Sequence, residues 1–316
     1  MKTSKLHFII LTLTFSICFI SCKENVSSSK EAIALHTEKN IETKKEKKAI
    51  SEEFKKYWYA GEAEISSYTL EQARYGEMRE GTGVLVYVTE PFVADKQVKA
   101  DRNNPSNIPV LKLNSTKKYL TGIYPYSIMT SAFYPVHDNQ HALKISFSAQ
   151  EWCGHVYAQL NNKEQFQIES RSYFESEGDE SFTLEKNILE NEIWQKIRIN
   201  PNDLPVGNLK IVPSFEFARL KHKEVKAYDA KATILVNKDA TKTYTIEYPK
   251  LNRSLAITFL ADFPYTIESW SESFVDGYGV NAKTLTSTGK KIKTIKSPYW
   301  GKNHNSDLYL RDSLGL

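Results

Sequence analysis

The sequence predicts a mainly β protein: a curved antiparallel sheet, or half-barrel-like meander, with one or two short helices. Three observations lead there. Leu143, Ile145, Phe147 and Ala149 alternate with Lys144, Ser146, Ser148 and Gln150, the period of two that marks a half-buried strand. Val156, Ala158 and Leu160 then alternate with His155, Tyr157 and Gln159. The chain turns at Asn161-Asn162-Lys163, and Phe166 and Ile168 resume the pattern, which reads as a hairpin. Further on come three runs: Ala232, Ile234 and Val236; Tyr244, Ile246 and Tyr248; Leu255, Ile257 and Phe259. With a fourth strand at 266–270 they make an antiparallel meander. No repeat recurs at a period of about 20–50 residues, which disfavours a solenoid or propeller.

Taken from the N-terminus, residues 1–21 read as an export signal. Lys2 and Lys5 precede an apolar run over 6–20 that is too short for a comfortable membrane span. Phe19-Ile20-Ser21-Cys22 resembles a bacterial lipobox, in which the cysteine is lipidated and becomes the first mature residue; the alternative is an ordinary secretory signal with an incidental cysteine. A lipidated Cys22 predicts a membrane anchor made of acyl chains. Lys23-Glu24-Asn25 partly resembles the signal that sends lipoproteins of the Bacteroidetes to the cell surface. The expected location is the outer membrane, facing either the periplasm or the exterior. Cys18 leaves with the leader and Cys22 carries lipid, so Cys153 stands alone and the mature chain forms no internal disulfide.

Residues 22–49 are rich in Ser, Lys and Glu and poor in large apolar groups. They cannot bury enough surface to offset their chain entropy, and they predict a flexible tether. Lys44-Lys45-Glu46-Lys47-Lys48 could meet lipid headgroups, but its glutamate and those around it favour a solvated linker. Ile50, Phe54, Tyr57 and Trp58 recur at helical spacing and open a β-rich domain over 50–316, with room for two sub-sheets at about 57–200 and 226–300.

Formal net charge is +4. The two leader lysines supply two of these charges, and nine lysines against seven glutamates in 23–56 supply two more, so 57–316 sums to zero. A neutral body disfavours a nucleic-acid partner.

Within the body, 62–70 and 79–89 predict strands, and the continuous apolar run 84–88 predicts a strand covered on both faces. Glu80-Gly81-Thr82-Gly83 precedes that run, the wrong order for a phosphate loop, and reads as a turn. The polar stretch 95–109, with Asn103-Asn104-Pro105, reads as a loop, and 110–113 and 118–121 as short strands. Tyr124, Tyr126 and Tyr134 lie beside prolines. They either form a flat platform for a sugar or extended peptide, or cap the end of the β core; the cap is preferred. A bulge or tight turn is needed at 150–154, because the apolar parity changes there. The carboxylates of 175–180 lack EF-hand spacing and read as an acidic turn. Leu184, Ile188, Leu189, Ile193, Trp194 and Ile197 follow helical spacing, 200–205 breaks the chain, and a last strand or extended arm falls near 292–295.

The sharpest chemical candidate is a Cys/His site. Cys153 and His155 could form a nucleophile and base, and with His137 and His141 could supply four zinc ligands. The preferred reading is a cysteine that packs as a small hydrophobe. No Ser-centred elbow, HExxH or glycine-rich phosphate loop occurs, and no cofactor is predicted.

Four runs carry a family resemblance: Trp58-Tyr59-Ala60-Gly61-Glu62-Ala63-Glu64, Gln72-Ala73-Arg74-Tyr75-Gly76, Gly122-Ile123-Tyr124-Pro125-Tyr126-Ser127 and Gln150-Glu151-Trp152-Cys153-Gly154-His155-Val156-Tyr157. Together they resemble an uncharacterised lipoprotein family of flavobacteria and their relatives. Its members are sometimes labelled septum-formation inhibitor of the Maf type, although the Ser-x-Ser-Pro-Arg-Arg loop of Maf proteins is absent here. The order of strands, helix and returning meander is also similar to lipoprotein-carrier half-barrels, which hold an acyl chain. The expectation is a non-catalytic, lipid-anchored envelope protein that binds an apolar ligand or an envelope partner. The alternatives are a Cys/His-centred enzyme and a surface binder of glycan or peptide.

Overall fold

In the computed structural model, residues 48–137 and 140–316 are described. The leader and most of the tether, Cys22 included, lie outside them. The first helix, α1 (Glu52–Trp58), starts where Ser51 Oγ accepts the Phe54 N–H at 3.1 Å, and it buries Phe54 and Trp58. Strands β1 (Ala63–Arg74) and β2 (Glu77–Val93) form a long hairpin, followed by the two-residue β3 (Val98–Lys99), β4 (Ile108–Thr121), β5 (Tyr124–Pro135), β6 (Lys144–Glu151), β7 (Gly154–Asn162), β8 (Phe166–Ser172) and β9 (Glu180–Leu184). The short β10 (Ile188–Leu189) leads into α2 (Glu190–Ile199), β11 (Gly207–Val212) and α3 (Phe215–Leu220). The meander β12 (Tyr228–Val236), β13 (Thr241–Tyr248), β14 (Arg253–Leu260), β15 (Ile267–Asp276) and β16 (Lys283–Ser297) ends in α4 (Tyr309–Leu314).

All strands join one sheet in the order β10-β11-β12-β13-β14-β15-β16-β1-β2-β4-β5-β6-β7-β8-β9, with β3 on the side of β2. The predicted fold class holds. The two suggested sub-sheets are instead one, because β16 pairs with β1, residues 288–297 against 63–71. The two edges of the sheet are consecutive in the chain, with only residues 185–187 between β9 and β10. Four Cα steps reach at most about 14 Å. A sheet this wide can bring its edges that close only by curling round, so the antiparallel strands form a nearly closed wall with a seam between β9 and β10.

The concave side of this wall holds the core. Tyr244, Ile246 and Tyr248 of β13 and Ile257 and Phe259 of β14 are buried there with α1 and α2. Leu160, Phe166 and Phe147 line a second cluster with Phe215 of α3. The convex face of β2 is covered too: Val84 and Val86 pack with Leu314 of α4, which explains the unbroken apolar run at 84–88.

Helix α2 lies inside, and its polar side chains are buried along with its apolar ones. Glu190, Glu192, Gln195, Lys196 and Arg198 are all under 9% exposed. Each finds a partner in the wall. Both oxygens of Glu190 accept from Arg253 of β14, at 2.5 and 2.7 Å, and one also accepts from Tyr248 at 2.7 Å. Gln195 donates to the Ala132 carbonyl at 3.0 Å, and Lys196 to Tyr134 Oη at 2.9 Å. Arg198 closes a two-point bond on Glu64 of β1. A buried charge needs such pairing to be tolerated.

Several local expectations change. Residues 80–83 continue β2, and a Cβ at Gly81 would strike the backbone of β4 at Lys118. The two short strands at 110–113 and 118–121 are one strand, and the tyrosine- and proline-bearing stretch after them forms the strand β5. Of the helix expected from Leu184, only 190–199 is helical; Leu184, Ile188 and Leu189 belong to β9 and β10.

Candidate functional site

The seam leaves a cleft of about 1,110 Å³ between the inner face of β6–β9 and α3. Alternation puts Phe147 of β6 and Val156 and Ala158 of β7 on its floor, while the edge strand β9 adds Phe182 and Leu184. Phe215 and Ala218 of α3, and Val225 beyond it, form the opposite wall. Helix α3 is placed by Ser214, whose Oγ accepts the Phe217 N–H at 3.2 Å. Apolar floor and mouth-lining polar groups are the usual make-up of a ligand site, and the volume is just above the common range of about 300–1,000 Å³.

The mouth is built by the end of α3. There Lys223 N–H bonds the Ala218 carbonyl at 2.8 Å and His222 N–H the Arg219 carbonyl at 3.3 Å, the double closure of a Schellman turn. That turn needs a left-handed residue, usually glycine, yet His222 occupies it at φ 49°. A residue with a Cβ costs roughly 1–2 kcal/mol in that conformation. The imidazole is fixed: Glu177 Oε1 lies 2.8 Å from His222 Nδ1 and accepts from Arg219 at 2.8 Å. A carboxylate only accepts, so Nδ1 carries the proton, and Nε2 has no hydrogen-bond partner among the described residues. Ser172 Oγ holds the other Glu177 oxygen at 2.8 Å, and the Arg219 guanidinium lies over the Phe174 ring at 4.7 Å. The result is a rigid, mixed-charge lip on an apolar trough.

A smaller cavity of about 60 Å³ sits deeper, where α2 meets the wall. Its charges are already matched: Lys117 bonds Glu216 at 2.7 Å, and Arg253 bridges Glu190 and Glu272.

The predicted site residues are scattered. The turn required at 150–154 is present as the two-residue link Trp152-Cys153 between β6 and β7. Cys153 is exposed on it, not buried as a small hydrophobe. Its N–H donates to Glu151 at 2.6 Å, and the Glu151 carboxylate pushes the thiol above its ordinary range. His155 is exposed on β7, opposite Gln150. His137 Nδ1 donates to the Lys48 carbonyl at 3.1 Å, while His141 Nδ1 donates to Glu192 at 3.2 Å. The four candidates thus serve separate elements, and no group of three His, Cys, Asp or Glu suited to a metal occurs among the described residues. Lys48, expected in the tether, already belongs to the body through His137.

The three tyrosines form no exposed platform. Tyr126 and Tyr134 are buried, and Tyr126 stacks on Tyr119 at 5.1 Å with 6° between the planes. Tyr134 receives the Lys196 ammonium, while Tyr124 is half-buried. The preferred reading, a cap on the β core, describes Tyr126 and Tyr134.

Sequence reasoning missed Arg219, His222 and Val225. The one available signal was the cation run Arg219-Leu220-Lys221-His222-Lys223, which is too short to show a period.

No family model matches the chain, and no curated protein matches it. Among solved structures, the chain is similar to a β-barrel-like protein of a domain of unknown function, DUF1849, from Brucella abortus, with 9% identity, a TM-score of 0.45, and coverage of 74% of this chain and 98% of that one.

Proposed function

We propose that this is a lipid-anchored cell-envelope protein that binds an apolar or amphipathic ligand in the seam cleft and performs no chemistry on it. The observation that carries the reading is the cleft itself: a trough walled by Phe147, Val156, Phe182 and Phe215, large enough for an acyl chain and bounded by a fixed polar lip. Burying apolar surface there contributes about 25 cal/mol per Å². The anchor rests on the lipobox at Cys22 and the polar spacer after it. A non-catalytic role fits an exposed Cys153 whose thiol is pushed up by Glu151, since a nucleophilic cysteine needs the opposite shift.

Two experiments test the reading. Metabolic labelling with a radioactive fatty acid should mark the wild-type chain and fail on Cys22→Ser, which should leave the membrane fraction; a Cys22→Ser chain that stays membrane-bound contradicts the anchor. Displacement of a fluorescent fatty acid from the Cys22→Ser chain tests the cleft, and absence of any saturable binding would refute it.

A further inference from the structure

We infer that a separate pocket, beside the end of α1 and the far end of β2, is a binding site for a neutral pyranose sugar. After β16 the chain turns at 299–301 and sets Tyr299 and Trp300 side by side, with ring centroids 5.6 Å apart and planes at 68°. Both rings remain accessible, Trp300 at 54%. They face the end of α1 and the far end of β2 across a pocket of about 280 Å³, which Glu62, Glu90, Lys99 and Lys112 also line.

The polar groups define the ligand. Glu90 is only 8% exposed and accepts from Lys112 at 2.7 Å, with Lys99 at 3.8 Å. Glu62 lies 3.9 Å from Lys296. The four charged residues lining the pocket sum to zero, so it has no electrostatic preference for an anion or a cation. Trp58, at the end of α1, forms part of the wall.

The occupant must therefore be uncharged, offer an apolar face to an indole, and carry oxygens that accept from ammonium groups while donating to carboxylates. A pyranose meets all three conditions: its C–H face stacks on an aromatic ring, and each hydroxyl both donates and accepts. A peptide aromatic side chain would satisfy Trp300 but offer no hydrogen bonds to the carboxylates and ammonium groups of the pocket. The site is independent of the seam cleft and of every tyrosine considered from the sequence.

Saturation-transfer NMR on the full chain, with glucose, galactose, mannose, N-acetylglucosamine and their β-linked disaccharides, tests the assignment. At least one sugar should receive saturation, and its dissociation constant should rise about tenfold or more in Trp300→Ala. It should be unchanged in Trp152→Ala, which removes a still more exposed indole elsewhere. Unchanged circular dichroism in both variants separates loss of contact from loss of fold. Absence of binding by every sugar, binding indifferent to Trp300→Ala, or binding of inorganic phosphate in place of sugar would each overturn the inference.

Discussion

Glu64 on β1 and Arg198 on α2 face each other with both carboxylate oxygens 2.6 Å from guanidinium nitrogens, and both side chains are 1% exposed. The pair is 134 residues apart in sequence. The guanidinium also lies over the rings of Trp58 and Tyr87, at 4.9 and 4.7 Å. Removing one partner strands a buried charge. Arg198→Met should cost about 3–5 kcal/mol, read as a lower urea midpoint. Glu64→Leu combined with Arg198→Met should recover a large part of that loss. Equal losses in the single and double variants would show that the pair does not act as a unit.

Acid should loosen the same interior. Burial alone would raise the carboxyls of Glu64 and Glu190, but the facing guanidinium groups outweigh it and hold both below the usual carboxylate range. A depressed folded value means stabilisation that is fully present above the unfolded-chain value of about 4.3 and is lost as pH falls through the folded value. Stability should be flat with respect to these groups above about pH 5 and fall below about pH 4. Glu190→Gln should be less stable at neutral pH yet lose less on acidification. An acid slope as steep as the wild type's would assign the effect to other groups.

Much of this architecture was legible in the sequence. The alternation at 143–149 and 156–168 and the meander from Ala232 to Phe259 became β6, β7, β8 and β12–β14. The helix drawn back to Leu184 failed because Leu184, Ile188 and Leu189 share a spacing with Ile193 and Ile197 by coincidence, and periodicity cannot tell a buried strand end from a helical turn. Strand β5 was hidden by Pro125 and Pro135, which punctuate its two ends, and by Met129, which is apolar on its outward face. The charges of α2 look like a solvated face, and only their partners on distant strands reveal an interior one. The cleft was the least legible feature, since Phe147, Phe182, Phe215 and His222 meet only when the sheet curls.

The close approach of β15 and β16 sets a further test. Gly289 sits directly across from Trp270, and a Cβ there would run into the indole. Gly289→Ala should cost about 1–3 kcal/mol through overpacking. A neutral effect would show that Trp270 has room to move.

His222 offers a trade between stability and function. Glycine at this left-handed position relieves roughly 1–2 kcal/mol of backbone cost, while the half-exposed pair with Glu177 is worth about 0–1 kcal/mol. His222→Gly should therefore be at least as stable as the wild type and should bind amphiphiles less well. A destabilised variant would mean that the imidazole serves the fold.

Cys153 gives a simple chemical check. An exposed thiol should be alkylated completely in the folded protein, but slowly near neutral pH because of Glu151. Glu151→Gln should speed the reaction at pH 8. Equal rates in the two proteins would remove Glu151 as the cause.

The cleft is tested most directly by native mass spectrometry of the Cys22→Ser chain beside the same chain carrying Leu184→Trp. Leu184 is a half-buried residue of the edge strand β9 whose side chain faces the cleft with Phe182, so an indole there should fill the trough at little cost to the fold. The account predicts an amphiphile retained from the host on the first protein and lost from the second, with affinity for added fatty acid reduced about tenfold or more, equivalent to about 1.4 kcal/mol. A parent chain that carries no ligand and takes up none, or a variant that binds as well as its parent, would contradict it.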